Sequence, residues 1–510
     1  MKKFQFILII FVFVFIAASP TAAQEGPSLP EGLGDNSSPV LPEGLGGSEM
    51  NAPSLPEGLG GSQTPALPSG MGDSGGPSLP GGLEEEKREA AGDKPPLTPN
   101  PEPRTPRSYS LSGFWEIRGG IRIQSDPYQK DASLGETRLQ AEFETRWQDA
   151  VFKIRPDFLL DPVMDDYKIN LEEGRGIVDL REANVSFSPL AFMDMKFGRQ
   201  ILTWGTGDML FITDMFPKDW QSFFIGRDDE YLKAPSDALK ASLFSDAVNL
   251  DIVYTPRFDS DRFPCGKRLS YYNRMLGRRA GEDAVIETDK PDEWFKDDEW
   301  AARIYKTVQS IELAAYGYQG FWKGPSGMDS LTGKAAFTKL NVYGASIRGQ
   351  IASGIANLEF GYYDSRDDEE GDDPFTDNSQ FRILAGYERD LPEIAKDFKV
   401  GIQYYVEHIM DYEAYEQYLP QGAKAADEDR HVITLRLTQQ LMNQNLTLSL
   451  FTYYSPTDAD AYLRPNVRYK IDDRWTAVVG GNVFTGADGH TFFGQFGRNT
   501  NVYAGLHYGF

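Results

Sequence analysis

A two-residue alternation of apolar and polar side chains runs from about residue 111 to the C-terminus, and it limits this chain more than any other feature. In 137–148, Thr137, Leu139, Ala141, Phe143, Thr145 and Trp147 share one face, while Glu136, Arg138, Gln140, Glu142, Glu144, Arg146 and Gln148 share the other. Successive side chains of a strand point to opposite faces, so the pattern calls for strands and argues against helices of 3.6-residue period. Segment 115–123 repeats it, with Trp115, Ile117, Gly119, Ile121 and Ile123 against Glu116, Arg118, Gly120 and Arg122. Segment 151–160 does so again, with Phe152, Ile154, Phe158 and Leu160 against Lys153, Arg155 and Asp157. Further segments lie at 177–188, 191–202, 238–246, 247–255, 299–309, 310–320, 336–349, 355–364, 379–390, 397–411, 430–441, 444–455, 461–472, 474–485 and 500–510, which gives about 18 strands, with 16 as the alternative. The phase fails in 177–188, where Asp179 and Arg181 fall in step with Ala183, Val185 and Phe187, unless a β-bulge intervenes.

Alternation alone fits both a half-buried soluble sheet and a membrane barrel. The connections favour the barrel. Long ones (161–176, 203–237, 256–298, 321–335, 365–378, 412–429, 456–460, 486–499) alternate with short ones such as Pro189-Leu190, Ser245-Asp246 and Met442-Asn443. Long loops at one end and tight turns at the other belong to outer-membrane barrels, and an even strand number returns both chain ends to the periplasmic side. The fold expected is therefore an all-β, transmembrane, antiparallel up-and-down barrel over 109–510. Loops 203–237 and 256–298 are candidates to fold into its mouth as constrictions.

Both ends of the chain agree with export. Lys2 and Lys3 precede an apolar run to Ala18, and Thr21 and Ala23 are placed for cleavage, so 1–23 reads as a signal peptide. The run is short for a retained membrane anchor. Residues 24–108 carry P-x-L-P-x-G-[LM] cores at Pro27, Pro53 and Pro77, with related copies at Pro39 and Pro65. Such Gly/Pro/Ser-rich sequence cannot bury enough apolar surface to offset its ordering entropy. It reads as a disordered periplasmic tether, or as an array of Leu-Pro motifs that docks a periplasmic partner. At the other end, Val502, Ala504, Leu506, Tyr508 and Phe510 share a face and the chain ends on an aromatic. Leu506, Tyr508 and Phe510 resemble the signal read by the bacterial barrel assembly machinery.

Composition excludes other classes. The net charge of −25 argues against nucleic acid, which needs clustered Lys and Arg. One cysteine, Cys265, forbids an internal disulfide and any cysteine-rich metal site. His408, His431, His490 and His507 form no HExxH pattern, and no G-x-S-x-G or P-loop occurs. Neither an enzyme nor a cofactor or metal is expected. Seven acids between Asp364 and Asp373 read as a solvated outer loop rather than a Ca²⁺ loop of EF-hand type.

The segment Gly198-Arg199-Gln200-Ile201-Leu202-Thr203-Trp204-Gly205, followed by Asp208, resembles a motif of bacterial outer-membrane porin-like families. One is a β-barrel family of unknown function; a more distant one is the alginate exporter of pseudomonads. Leu180-Arg181-Glu182-Ala183, the stretch from Asn249 to Phe258, and Gly480-Gly481-Asn482-Val483-Phe484 also match. The resemblance covers about 111–510 and implies an 18-stranded barrel with a polar lumen in the outer membrane. Arg199 is in phase with Met193, Met195 and Phe197, which would point it at lipid. Either a bulge turns it inward, or it lies at the rim, where it could anchor loop 203–237. Trp115, Trp147, Trp204, Trp475, Tyr404 and Tyr454 are candidates for the interfacial aromatic girdles.

The inward face supplies the candidate pore lining: Arg118, Arg122, Arg138, Arg146, Lys153, Arg155, Arg382, Arg436, Arg464, Arg468 and Lys470, with Glu142 and Glu144 among the acids. Charges of both signs fit ion pairs that stiffen a wet wall. A sharper reading is an arginine ladder for an anionic solute or polymer, favoured locally by Arg464, Arg468 and Lys470, which have no inward acid between them. The function expected is a porin-like channel for hydrophilic solutes. The alternative is a scaffold barrel whose repeats hold a periplasmic partner. Outer-membrane lipid and lipopolysaccharide are expected to surround it.

Overall fold

The computed structural model describes residues 109–510. The signal peptide expected at 1–23 and the tether expected at 24–108 lie outside the described residues. Eighteen antiparallel strands form one closed sheet. They are β1 (Tyr109–Arg122), β2 (Ala132–Trp147), β3 (Ala150–Leu160), β4 (Val178–Leu190), β5 (Met193–Ile201), β6 (Pro235–Leu243), β7 (Asn249–Thr255), β8 (Glu299–Val308) and β9 (Ile311–Phe321). Then follow β10 (Lys339–Ile351), β11 (Gly354–Ser365), β12 (Gln380–Asp390), β13 (Phe398–Ile409), β14 (Asp429–Leu441), β15 (Leu446–Ser455), β16 (Asp460–Lys470), β17 (Trp475–Gly486) and β18 (Asn501–Gly509). Each strand pairs with the next in sequence, and β18 returns to β1 in a register from Phe114↔Gly509 to Arg122↔Asn501. Closure leaves no strand edge unpaired. The count is 18, not 16, and each expected segment holds one strand.

The alternation sets which face is which. Leu139, Phe143, Phe152, Ile154, Phe158 and Leu160 are exposed on the outer face, while Arg138 and Asp157 are buried inside. In water that inversion would leave a large apolar band unburied. Against hydrocarbon it is the stable arrangement. The faulty phase in β4 has the expected cause. Arg155 pairs with Glu182 but the next residue, Pro156, pairs with Leu180, so Arg181 is the extra residue of a bulge. Asp179, Arg181 and Glu182 are therefore all buried, while Ala183, Val185 and Phe187 keep the outward phase.

Loop lengths separate by end of the barrel, as the sequence implies. Gln309-Ser310 and Ala352-Ser353 make two-residue turns with positive φ at both positions (49° and 69°; 47° and 67°), the hairpin geometry that matches strand twist. At the opposite end lie 161–177, 202–234, 256–298, 322–338, 366–379, 410–428 and 487–500. The outer connection 456–459 is an exception: with four residues between Ser455 and Asp460 it is a tight turn, not the long loop expected. Short ladders stiffen the outer loops: 271–273 with 278–280 inside loop 256–298, 327–328 with 335–336 inside loop 322–338, and 288–289 with 335–336 between the two.

Four more expectations resolve here. Arg199 stays in the outward phase with no bulge beside it, since Phe197 pairs with Leu239 and Arg199 with Asp237. It sits at the rim, where its Nε and Nη2 donate to the Asp237 carboxylate at 2.8 and 2.7 Å and its Nη1 to the Leu171 carbonyl at 3.1 Å. Its partners are thus Asp237, the last residue of the expected segment 203–237, which the structure places in β6, and loop 161–177. Trp204 is not a girdle residue: it is buried inside the barrel against Phe216, ring centroids 4.9 Å apart. Trp147, Tyr404 and Tyr454 are exposed, and Trp115 meets Trp475 edge-on near the tight-turn end. The acidic loop is only partly solvated, because Asp368 is buried and accepts the backbone N–H of Asp372 at 3.1 Å.

Candidate functional site

The site is the lumen, and the segment 202–234 between β5 and β6 dominates it. Its sequence explains why it goes inside. Trp204, Ile212, Phe216, Phe223, Phe224, Ile225 and Leu232 are apolar and buried, and they form one cluster with Tyr453, Tyr462 and Phe484 of the wall. An outer loop with that many large apolar residues would be poorly solvated in water.

The first half of the loop docks on β11. The Glu359 carboxylate, itself buried, accepts four hydrogen bonds: from Thr206 N–H (2.7 Å), Thr206 Oγ1 (2.9 Å), Thr213 N–H (2.7 Å) and Thr213 Oγ1 (2.7 Å). Gly205 makes the approach feasible. Its φ is +81°, and a Cβ there would lie 3.0 Å from Glu359 Oε1. Asp208 follows. Its N–H donates to Gln403 Oε1 (2.7 Å), its carbonyl accepts from Gln403 Nε2 (2.8 Å), and its carboxylate takes a two-pronged bond from Arg436 (2.5 and 2.8 Å). Tyr363 and Tyr453 donate to the carbonyls of Ile212 (2.5 Å) and Met209 (2.6 Å).

The second half docks on the far wall. Helix α1 (Trp220–Ile225) starts where Asp219 accepts the Ser222 N–H at 2.7 Å and ends at Gly226 with φ of +92°. A Cβ on Gly226 would meet Tyr503 Cε1 at 2.2 Å, so only glycine fits that exit. Beyond it, Asp228 accepts from Arg118 (2.9 Å) and Arg468 (2.9 Å), and Asp229 from Arg464 (2.6 Å). Arg227 reaches Glu136 of β2, and the Tyr231 hydroxyl donates to Asp157 of β3 at 2.7 Å. In a ring of 18 strands, β2 and β11 are diametrically opposed. The loop therefore bridges the full width of the lumen.

The electrostatics reinforce the docking. Burial would raise the Asp228 carboxyl, but the Arg118 and Arg468 guanidiniums outweigh it and hold it well below the ordinary aspartate range. Burial likewise opposes the charge on Asp229, and Arg464 and Arg436 keep it low.

The expected lining residues all lie on the inward face, but few stand free. Arg118, Arg436, Arg464 and Arg468 are taken by the loop carboxylates just described. Arg464 and Arg468 thus do have acid partners, delivered by a loop some 235–240 residues away in sequence. Arg138 pairs with Glu136 (2.7 Å) and Asp157, Arg122 donates to the carbonyls of Ala132 (3.0 Å) and Arg268 (2.5 Å), and Arg382 meets Glu407 (3.2 Å) under the Tyr363 ring. Lys153 bridges Glu142 and Glu182, both at 3.1 Å, and Arg155 adds to the same group. Glu144 and Arg146 are exposed at the tight-turn end, and Lys470 pairs with Asp473 (3.5 Å) near a turn. Among the motif residues, Gly205, Asp208 and Trp204 belong to the lumen loop, whereas Gly198, Arg199 and Gln200 hold the strand that launches it. Gln200 is buried and donates to the Ala238 carbonyl at 2.9 Å. Leu506 and Phe510 face outward, and Tyr508 packs on Trp475.

Sequence reasoning puts Glu359 on the inward face but not under the loop, and it misses Gln403, Thr206, Thr213, Asp228 and Asp229. Their one local signal is the acidic run Asp228-Asp229-Glu230 set between Phe223-Phe224-Ile225 and Tyr231-Leu232. Loop 256–298, the other candidate constriction, is tied to the lumen loop and to β4. Its Arg262 donates to Asp179 (3.0 Å) and Asp219 (3.3 Å), and its Ser270 to Asp126 (2.5 Å).

The class is thus set by the fold: a closed 18-stranded antiparallel barrel with a loop folded across its interior. No family model and no curated relative matches the chain. Solved structures do resemble it. OccAB4 of Acinetobacter baumannii has a TM-score of 0.49 at 11% identity, over 81% of this chain and 100% of that one. OccD3 (OpdP) of Pseudomonas aeruginosa has 0.46 at 9%, over 79% and 91%. The outer membrane channel DcaP of Acinetobacter baumannii has 0.39 at 14%, over 80% and 99%.

Proposed function

We propose that the protein is a porin-like channel of the bacterial outer membrane for hydrophilic solutes, and that loop 202–234 decides what passes. The observation that carries this reading is the span of the loop from Glu136 to Glu359 across a charged, inward-facing wall. The apolar outer band and the terminal aromatic signal fit insertion in that membrane. An arginine ladder for anions, or for a polymer as in the alginate exporter, fits only with the loop withdrawn, because Asp208, Asp228 and Asp229 neutralise Arg436, Arg118, Arg468 and Arg464 while it is docked. The docked state then favours small solutes of low charge, and withdrawal exposes the basic wall. Solute influx into vesicles carrying the refolded barrel tests this. Wild type admits small neutral sugars faster than acidic ones of equal size, and variants with the loop unlatched reverse that order. Equal rates for both solutes in both proteins would refute it.

A further inference from the structure

A cavity of about 560 Å³ lies at the outer rim, apart from the lumen site, lined by loop 161–177 together with Arg199, Arg257 and Lys267. Its volume falls in the range of ligand pockets. Five cations line it (Lys168, Arg175, Arg199, Arg257, Lys267) against two carboxylates, Asp166 and Glu172. Arg199 is committed to Asp237, Arg175 to Asp166 and Glu173, and Arg257 to Glu172. Lys168 and Lys267 have no ion-pair partner among the described residues, although Lys267 is half-buried. The buried Nε of Arg175 also lacks a hydrogen-bond partner. With Asp237 and Glu173 counted, five cations face four carboxylates, and the two unpaired lysines with the unspent Arg175 Nε suit the cavity to an anion.

Position narrows the ligand. The cavity touches the barrel wall at Arg199 of β5, which shares the outward phase with Phe197, 61% exposed. Two residues of strand separate them, about 7 Å at the rise of an extended chain. Arg199 therefore lies just above an exposed aromatic of the apolar band, which brings this edge of the cavity to the level of headgroups. Ile169 and Leu171 supply an apolar part of the same lining. We propose that this cavity binds a phosphate group carried on an outer-leaflet lipid headgroup. The proposal rests on reading the barrel as an outer-membrane protein. It does not depend on conduction.

The test uses the refolded full chain incubated with phosphatidylcholine vesicles containing phosphatidic acid, a phosphomonoester lipid, followed by native mass spectrometry of the detergent-released barrel. The comparison is between wild type, K168Q/K267Q, and K424Q, which removes an exposed charge from another loop. Wild type and K424Q should retain phosphatidic acid over phosphatidylcholine, and K168Q/K267Q should lose that preference roughly tenfold or more, as for lost hydrogen bonds to a charged group. Equal retention by all three proteins would overturn the site. Binding of inorganic phosphate by wild type but not by K168Q/K267Q, with no retention of phosphatidic acid, would overturn the lipid source and assign the cavity to a soluble phosphate. Bilayer conductance of the same samples separates the two readings. A barrel that conducts without retaining lipid sinks only the headgroup site, and one that retains lipid without conducting sinks only the channel.

Discussion

Replacing Glu359 with glutamine should unseat the first half of the lumen loop while leaving the barrel closed. The wild-type carboxylate presents four acceptor contacts at 2.7–2.9 Å, two to each oxygen, and each oxygen serves one backbone N–H and one hydroxyl. Glutamine turns one oxygen into an NH2 donor. The threonine hydroxyl on that side can rotate to accept, but the backbone N–H cannot. Whichever way the amide lies, one N–H of Thr206 or Thr213 is left buried and facing another donor. Losing one hydrogen bond to a charged group costs about 1.5–3 kcal/mol. That shifts a docked/undocked equilibrium by roughly ten- to hundredfold at about 1.4 kcal/mol per decade. Because β11 keeps its pairing to β10 and β12, strand content should not change. The assay is single-channel recording of the refolded full chain in planar bilayers, with Glu388→Gln as the control on a wall carboxylate that pairs loosely with Lys399 at 3.5 Å. The open fraction of E359Q should rise by that factor and E388Q should match wild type. A folded E359Q barrel with wild-type openings would refute the assignment of Glu359 as the loop's seat.

The remaining predictions concern the far side of the loop and the closure of the barrel. The carboxyls of Asp228 and Asp229 are depressed, so their latch is fully present above an ordinary aspartate pKa of about 4 and is lost as pH falls below it; open fraction should stay flat from neutral pH to about 4 and rise only in stronger acid, and a rise centred near neutrality would contradict this. Gly226→Ala forces a side chain into positive φ and into the Tyr503 ring, which costs about 1–3 kcal/mol in backbone strain alone; residues 220–230 should then exchange amide hydrogen faster than in wild type, and unchanged protection there would count against the tight α1 exit. Deleting Phe510 removes the reciprocal backbone bonds between Phe510 and Gly113, both 3.0 Å, along with the terminal aromatic; the yield of folded barrel from assembly-machinery proteoliposomes should drop, and an unchanged yield would dismiss the C-terminal signal.

Most of the barrel was legible because strand alternation is a local property. Each residue of 137–148 reports its face through its immediate neighbours, and even the phase fault around Arg181 located the bulge. For Arg199 the same phase left two placements, an inward turn or the rim, and the pairing of β5 with β6 puts it at the rim. What the sequence did not reveal was the far end of each lumen contact. Arg468 looks unpaired on its own strand because its partner, Asp228, is 240 residues away. Trp204 looks like an interfacial aromatic because a tryptophan at a strand end has no local mark of turning inward. Its burial depends on Phe216 and on Tyr316 of β9, whose ring lies 6.2 Å away. The four-residue turn at 456–459 was overestimated for a related reason: the sequence Pro456-Thr457-Asp458-Ala459 reads as loop, but Ser455 and Asp458 tighten it through Ser455 Oγ, which donates at 3.1 Å.

The central claim, that loop 202–234 controls passage through the barrel, is tested most directly by replacing residues 206–231 with a short Gly-Ser link and measuring conductance in planar bilayers beside wild type. The strands on either side, β5 and β6, already pair from Met193↔Leu243 to Ile201↔Pro235, so the barrel can close without the loop. The account predicts large, steady, voltage-independent openings in the replaced protein and smaller or intermittent ones in wild type. Equal conductance in the two, with both barrels folded, would contradict it.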